Sequence, residues 1–219
     1  WSKHSDENVR RLSSEGCRPR LPWASALPAF KRDPSPILPI LENLKDDPSE
    51  YVRRSVANNL NDIAKDNPEV VLKVVRRWKG NSPATQWLIK HGCRTLLKKG
   101  NATALLLNGF DTKKKFELKD VKYDKKVRKG DSLRFSFVVR NQEDEQVRVR
   151  LEYGIDYLTP KKKTSRKVFK IGEYNVDPGL PLSISRKQPF KDLSTRKHVT
   201  GEHLFRILVN GQEMATAKF

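Results

Sequence analysis

Cysteine is nearly missing from this chain: Cys17 and Cys93 are the only two in 219 residues. Two thiols exclude a disulfide-stapled scaffold and fit a reducing, cytoplasmic setting. The four histidines, His4, His91, His198 and His203, show no metal-ligand spacing with them, which argues against a metal centre. No secretory leader and no apolar run long enough to span a bilayer is legible, so neither export nor membrane insertion is expected. Acidic residues are scarce as well. Asp and Glu number 26 against 45 Lys and Arg, a formal net charge of +19. The imbalance is shared, with +8 on residues 1–108 and +11 on residues 109–219. Both halves therefore suit a polyanion, most simply nucleic acid. The bland alternative is a soluble protein that is merely basic. An anionic membrane surface is disfavoured, because no long amphipathic basic helix appears.

What is present falls into two grammars. The first half is helical and repetitive. Glu7-Asn8-Val9-Arg10-Arg11 returns 43 positions later as Glu50-Tyr51-Val52-Arg53-Arg54, and Gly16-Cys17-Arg18 returns as Gly92-Cys93-Arg94. On these anchors, Leu12–Gly16, Ser55–Asn59 and Leu88–Gly92 share one repeat position, with Gly16 and Gly92 letting stacked helices approach. Second helices are expected over Pro36–Leu44 and Glu69–Lys79. A period near 40 residues with two helices per unit marks a HEAT-type array, which stacks into a curved solenoid with a concave binding surface. The chain opens at Trp1 inside this pattern and is expected to be the C-terminal part of a longer polypeptide.

The most informative helix follows Asp47-Pro48-Ser49-Glu50. Asp47 is expected to cap it, Pro48 suits its first turn, and Pro68 stops it. Val52, Val56, Leu60 and Ile63 recur at helical spacing and form a buried stripe. At about 100° per residue, Arg54, Asn58 and Asp62 share a second stripe, expected to point away from that core. A guanidinium, an amide and a carboxylate in a row suit a site that grips a polyanion and places one negative charge deliberately.

Near Asn108-Gly109-Phe110-Asp111 the period changes to two. Leu133, Phe135, Phe137 and Val139 share one face. Val147, Val149, Leu151 and Tyr153 alternate with Arg148, Arg150 and Glu152. Phe205, Ile207 and Val209 run into Asn210-Gly211, a strong hairpin signal. About seven short strands predict an immunoglobulin-like sandwich. The fold class is thus α and β in separate domains: a HEAT-like helical solenoid over residues 1–110, then an all-β sandwich over residues 111–219. Lys161, Lys162 and Lys163, with Arg166 and Lys167, form the densest basic cluster, on a hairpin tip or loop. They serve either as phosphate contacts or as a solvated loop.

Two blocks carry a family resemblance. One is Glu7 to Trp23, with Val9-Arg10-Arg11-Leu12 and Arg18-Pro19-Arg20-Leu21-Pro22-Trp23. The other is the long run from Asp47 through Ser55-Val56-Ala57-Asn58-Asn59-Leu60-Asn61-Asp62. Residues 1 to about 108 resemble the AlkC-type 3-methyladenine DNA glycosylases. The β-rich tail matches the architecture of one branch of that family. Family members carry further HEAT-like repeats before the point corresponding to Trp1, a departure that bears on whether this chain alone is active.

The resemblance implies excision of cationic alkylated bases, such as 3-methyladenine and 3-methylcytosine, from double-stranded DNA. It implies no cofactor, a monomer, and a base reached by kinking the duplex rather than by full extrusion. Asp62 corresponds to the catalytic aspartate, Trp23 to an active-site tryptophan, and Glu15 to a member of the same pocket. Arg18, Arg20, Arg54, Asn58 and Trp87 are candidate DNA contacts, together with Lys161–Lys163. An N3-alkylated purine is already cationic and leaves without a general acid. One ionised carboxylate would stabilise the oxocarbenium-like sugar and orient a water. A tryptophan face suits the cationic base or sugar.

Each assignment has an alternative. Asp62 is otherwise a surface acid paired with Arg54 or Lys65, and Trp23 or Trp87 a core aromatic. Arg18 and Arg20 would merely satisfy a helix end, and Asn58 would be a buried structural amide. The competing functions are a non-catalytic HEAT-like protein that holds branched or bent DNA, and a protein-interaction scaffold.

Overall fold

The computed structural model describes every residue except Asn81, Leu193, Thr195 and Arg196. The chain divides into two compact units, Trp1–Asn108 and Gly109–Phe219.

The first unit is helical. Its described helices are α1 (Glu7–Glu15), α2 (Pro28–Arg32), α3 (Leu38–Leu44), α4 (Glu50–Asp66), α5 (Pro68–Trp78), α6 (Pro83–Gly92), α7 (Arg94–Lys98) and α8 (Ala102–Leu107). Helix α4 lies between α1 and α6, the three segments aligned by the repeat anchors, and α5 packs on α4. The expected stripe is the core of α4: Val52, Val56, Leu60 and Ile63 are all fully buried. A short 3₁₀ turn, Ser35–Ile37, leads into α3, and its residue Glu42 bridges to α5 by accepting from the Trp78 indole at 2.7 Å and from Arg77.

Two local expectations are corrected. Helix α4 begins at Glu50 with Ser49 at the N-cap and no side-chain cap bond. Asp47 instead accepts from the Ser49 amide at 2.9 Å and from Arg10 Nε at 2.6 Å, tying α1 to the start of α4. A carboxylate with a part-buried guanidinium partner gains more there than at a helix end. Gly92 serves its expected purpose, since a Cβ there would meet Leu60 Cβ at 3.2 Å. Gly16 does not: it is exposed, and a Cβ would meet only its own helix, at the Leu12 carbonyl. The close approach of α1 to α4 is made by Ser14 and Ser55, both fully buried, whose hydroxyls lie 2.8 Å apart.

The second unit is a two-sheet antiparallel sandwich. Its strands are β1 (Phe116–Tyr123), β2 (Ser132–Asn141), β3 (Val147–Leu158), β4 (Thr164–Val176), β5 (Pro181–Pro189), β6 (Leu204–Val209) and β7 (Gln212–Lys218). One sheet runs β1-β2-β5, the other β4-β3-β6-β7. Period-two alternation sets the core. Leu133, Phe135, Phe137 and Val139 of β2 meet Val149, Leu151, Tyr153 and Ile155 of β3. Tyr153 donates its hydroxyl to Gln188 Oε1 at 2.5 Å, joining the two sheets. Asn210 and Gly211 have φ of +46° and +75°, as the tight β6–β7 turn requires.

The opposite face of β3 is not solvated as alternation alone implies. Arg150 and Glu152 are 4% and 1% exposed. They persist because charge is matched: Arg150 donates to Glu152 at 2.6 Å and to Glu173 at 3.0 Å. Lys161–Lys163 occupy the β3–β4 hairpin tip, exposed, with Lys162 at φ +55°.

Candidate active site

The motif Asn58-Asn59-Leu60-Asn61-Asp62 works as a set of ties between α4 and its neighbours. Asn59 Nδ2 donates to the Ser14 carbonyl near the end of α1 at 2.8 Å. Asn61 Oδ1 accepts from the Thr95 amide at 3.1 Å, capping α7 from outside. Asn58 Oδ1 accepts from Arg94 Nη2 at 3.1 Å and lies 3.3 Å from His91 Nε2. The His91 ring stacks on Trp87 with centroids 5.1 Å apart and planes 8° from parallel. Burial first, then Arg94 and Arg54, push the His91 pKa below its ordinary value.

Asp62 is 2% exposed, so the expectation that it points freely out of the helical stack is corrected. Helix α4 is flanked on both sides, by α1 and α6, and its second stripe goes from exposed at Arg54 through half-buried at Asn58 to buried at Asp62. Arg18, on the turn after α1, directs Nε and Nη2 to Asp62 Oδ2, each at 2.8 Å. Lys65 Nζ sits 2.9 Å from Oδ1. Pairing with Lys65 is therefore real, but Arg54 takes no part: it is exposed and bonds Glu50 at 2.5 Å. Glu15 joins the same cluster. Its Oε1 accepts from Arg18 Nη1 at 2.6 Å, and its Oε2 from the Ser55 hydroxyl at 2.7 Å.

Arg18 is thus corrected from a phosphate contact to a buried counter-ion, because its guanidinium is spent on two carboxylates. Burial works against its charge, but the bonds from Glu15 and Asp62 outweigh that and hold its pKa above the usual value. Arg20 is half-exposed and forms a bidentate pair with Asp66 at 2.7 and 2.8 Å. Trp23 is fully exposed in the loop after α1, with φ +63°, which excludes the core-aromatic alternative. Trp87 is 38% exposed. The structure brings Asp62, Glu15 and Arg18 into direct contact and leaves Trp23 open to solvent.

Arg94, Asn59, Asn61 and Lys65 are the members that sequence reasoning did not single out as site residues. The amides could have been found by asking why three Asn stand in a helix interior, where such residues are poor formers without partners. No group of three His, Cys, Asp or Glu among the described residues is arranged to hold a metal. No described helix is long and apolar enough to cross a membrane.

A helical unit with a buried carboxylate cluster, joined in sequence to an immunoglobulin-like sandwich, defines the class. Residues 117–219 match the family model described as the C-terminal Ig-like domain of the uncharacterised protein YhaZ. Over the whole chain, the fold is similar to part of an AlkC protein. The Pseudomonas fluorescens alkylpurine DNA glycosylase AlkC, solved bound to DNA containing an abasic site analogue, superposes with a TM-score of 0.96 at 39% identity. The match covers 100% of this chain and 61% of that one. Protein YhaZ of Bacillus subtilis (strain 168) is 49% identical over 213 residues, 97% of this chain and 59% of that protein. The chain therefore spans about three fifths of the length of these two relatives. The AlkC resemblance carried by the two sequence blocks is borne out, and so is the fold class.

Proposed function

We propose that this chain is the C-terminal part of a DNA glycosylase that hydrolyses the N-glycosidic bond of cationic alkylated bases. The observation that carries this reading is the correspondence of the whole of this chain with 61% of AlkC, together with a clamped carboxylate at the position the resemblance assigns to catalysis. Asp62 would face the developing oxocarbenium ion. At ~4 Å and an effective dielectric of ~20, that interaction is about 4 kcal/mol, roughly a thousand-fold in rate.

Glu15 and Arg18 set the orientation of Asp62. Trp23, fully exposed in the loop after α1, would stack on the base as the duplex kinks, so that full extrusion is not needed. Arg20, Arg54, Asn58, Trp87 and the Lys161–Lys163 tip would contact DNA. The protein would act in base excision repair.

One observation favours a second reading. Asp62 is covered, as a structural carboxylate would be, which suits a non-catalytic helical protein holding bent DNA. The two readings separate on incubation of the complete polypeptide with methylated duplex and identification of the bases released. Release of 3-methyladenine or 3-methylcytosine supports the first, and tight binding without release supports the second.

A further inference from the structure

The cluster around Asp62 is built asymmetrically. Oδ2 is engaged by Arg18, whose side chain is 8% exposed and locked between two carboxylates. Oδ1 is engaged by Lys65, whose side chain is 38% exposed and bonds from one turn away on a flexible stem. The two oxygens therefore differ in how easily they are released. Removing Arg18 would strand two carboxylates. Moving Lys65 returns a strongly hydrated ammonium to water at little loss.

Charge makes the same distinction. Asp62 is bonded by two cations, Arg18 and Lys65, while Glu15 has Arg18 and, at 3.6 Å, Arg11; once Lys65 leaves, Asp62 keeps only the guanidinium it shares with Glu15 among the ion pairs of the described residues. Arg94, a further cation that feels the charge of Asp62, turns its guanidinium to Asn58 Oδ1 and the His91 carbonyl instead. A cationic sugar cannot meet a carboxylate that a cation already covers.

We propose that Lys65 is an exchangeable counter-ion that masks Asp62 Oδ1 and swings away to a DNA phosphate, while Arg18 is the fixed counter-ion that positions the carboxylate. Oδ1 is then the working oxygen. This rests on the glycosylase reading above and extends it. The ammonium leaves the carboxylate for a phosphate at the moment the cationic lesion arrives, so the site's charge changes without a proton transfer. Lys65 is a positioning residue and does not touch the reacting atoms.

The test uses the complete polypeptide and two duplexes, one with a cationic pyrrolidine abasic analogue and one with a neutral tetrahydrofuran analogue. The ratio of the two dissociation constants isolates the carboxylate from general DNA affinity. Lys65→Met, which keeps the stem, should raise the preference for the cationic analogue about two- to fivefold, the size of a half-exposed ion pair. Arg18→Lys should lower the preference; if it fails to fold, Lys65→Met alone decides. An unchanged or reduced preference in Lys65→Met overturns the proposal. Asp62→Asn guards the underlying reading: if that variant keeps both the preference and base release, the glycosylase assignment of Asp62 fails, whatever Lys65 does.

Discussion

Removing the Arg18 guanidinium tests whether the Glu15–Arg18–Asp62 cluster is a coupled unit. In Arg18→Met, Asp62 Oδ2 loses two donors at 2.8 Å and Glu15 loses one at 2.6 Å. Breaking a buried pair typically costs about 3–5 kcal/mol, because the remaining charge is left uncompensated. Lys65 still serves Oδ1, so the lower end, about 3 kcal/mol, is expected. Asp62→Asn alone should cost less, about 1–2 kcal/mol, since Arg18 keeps Glu15 and an amide oxygen can still accept. The double variant removes the stranded charge and should be more stable than the sum of the singles by about 2 kcal/mol. Urea denaturation of the four proteins gives the cycle, with equal m-values as the check that one transition is compared. The coupling should persist in 1 M salt, which screens buried pairs little. Additivity within about 0.5 kcal/mol would refute the buried ion cluster.

Three further outcomes are expected. Burial alone would raise the Glu42 pKa, but bonds from Lys45, Trp78 and Arg77 hold it at about 2. Its folded pKa is depressed, so its contribution is full above about pH 4.5 and is lost as pH falls toward 2. With a side chain 35% exposed, solvent limits the effect to about 1 kcal/mol. Comparing acid titrations of stability should find Glu42→Gln less sensitive across that window than the parent. Leu60→Ala empties a fully buried site against Gly92 and should destabilise by about 2–5 kcal/mol in thermal or urea unfolding. Replacing Lys161, Lys162 and Lys163 by Ala should weaken binding to every duplex sequence alike. It should also flatten the slope of log affinity against log salt by about 1–3; an unchanged slope would remove the tip from the interface.

Periodicity made the cores legible. Val52, Val56, Leu60 and Ile63 could be read off a 3.6-residue repeat, and Leu133 to Val139 off a two-residue one, because burial selects side chains at those intervals. The Asn210-Gly211 hairpin was legible because few residues accept positive φ. Pairings across the chain were not. Nothing local to Arg18 says that its partner is Asp62, 44 positions away, so a basic residue in a basic protein reads as a phosphate contact. Asp62 looked exposed because a helical wheel describes one helix alone, and α4 is enclosed on two sides. The charged face of β3 misled for the same reason. Arg150 and Glu152 are buried because they pair with each other within a cluster that Glu173, Arg148 and Lys170 complete, which alternation cannot show.

The central claim is that Asp62 stabilises the positive charge that develops on the sugar as the base departs. Its most direct measurement is single-turnover release of methylated bases by the complete polypeptide and by its Asp62→Asn variant, with duplex affinity recorded alongside. The account predicts that the rate falls about a thousand-fold while affinity for undamaged DNA stays within a few-fold. Release at the parental rate by Asp62→Asn would contradict it.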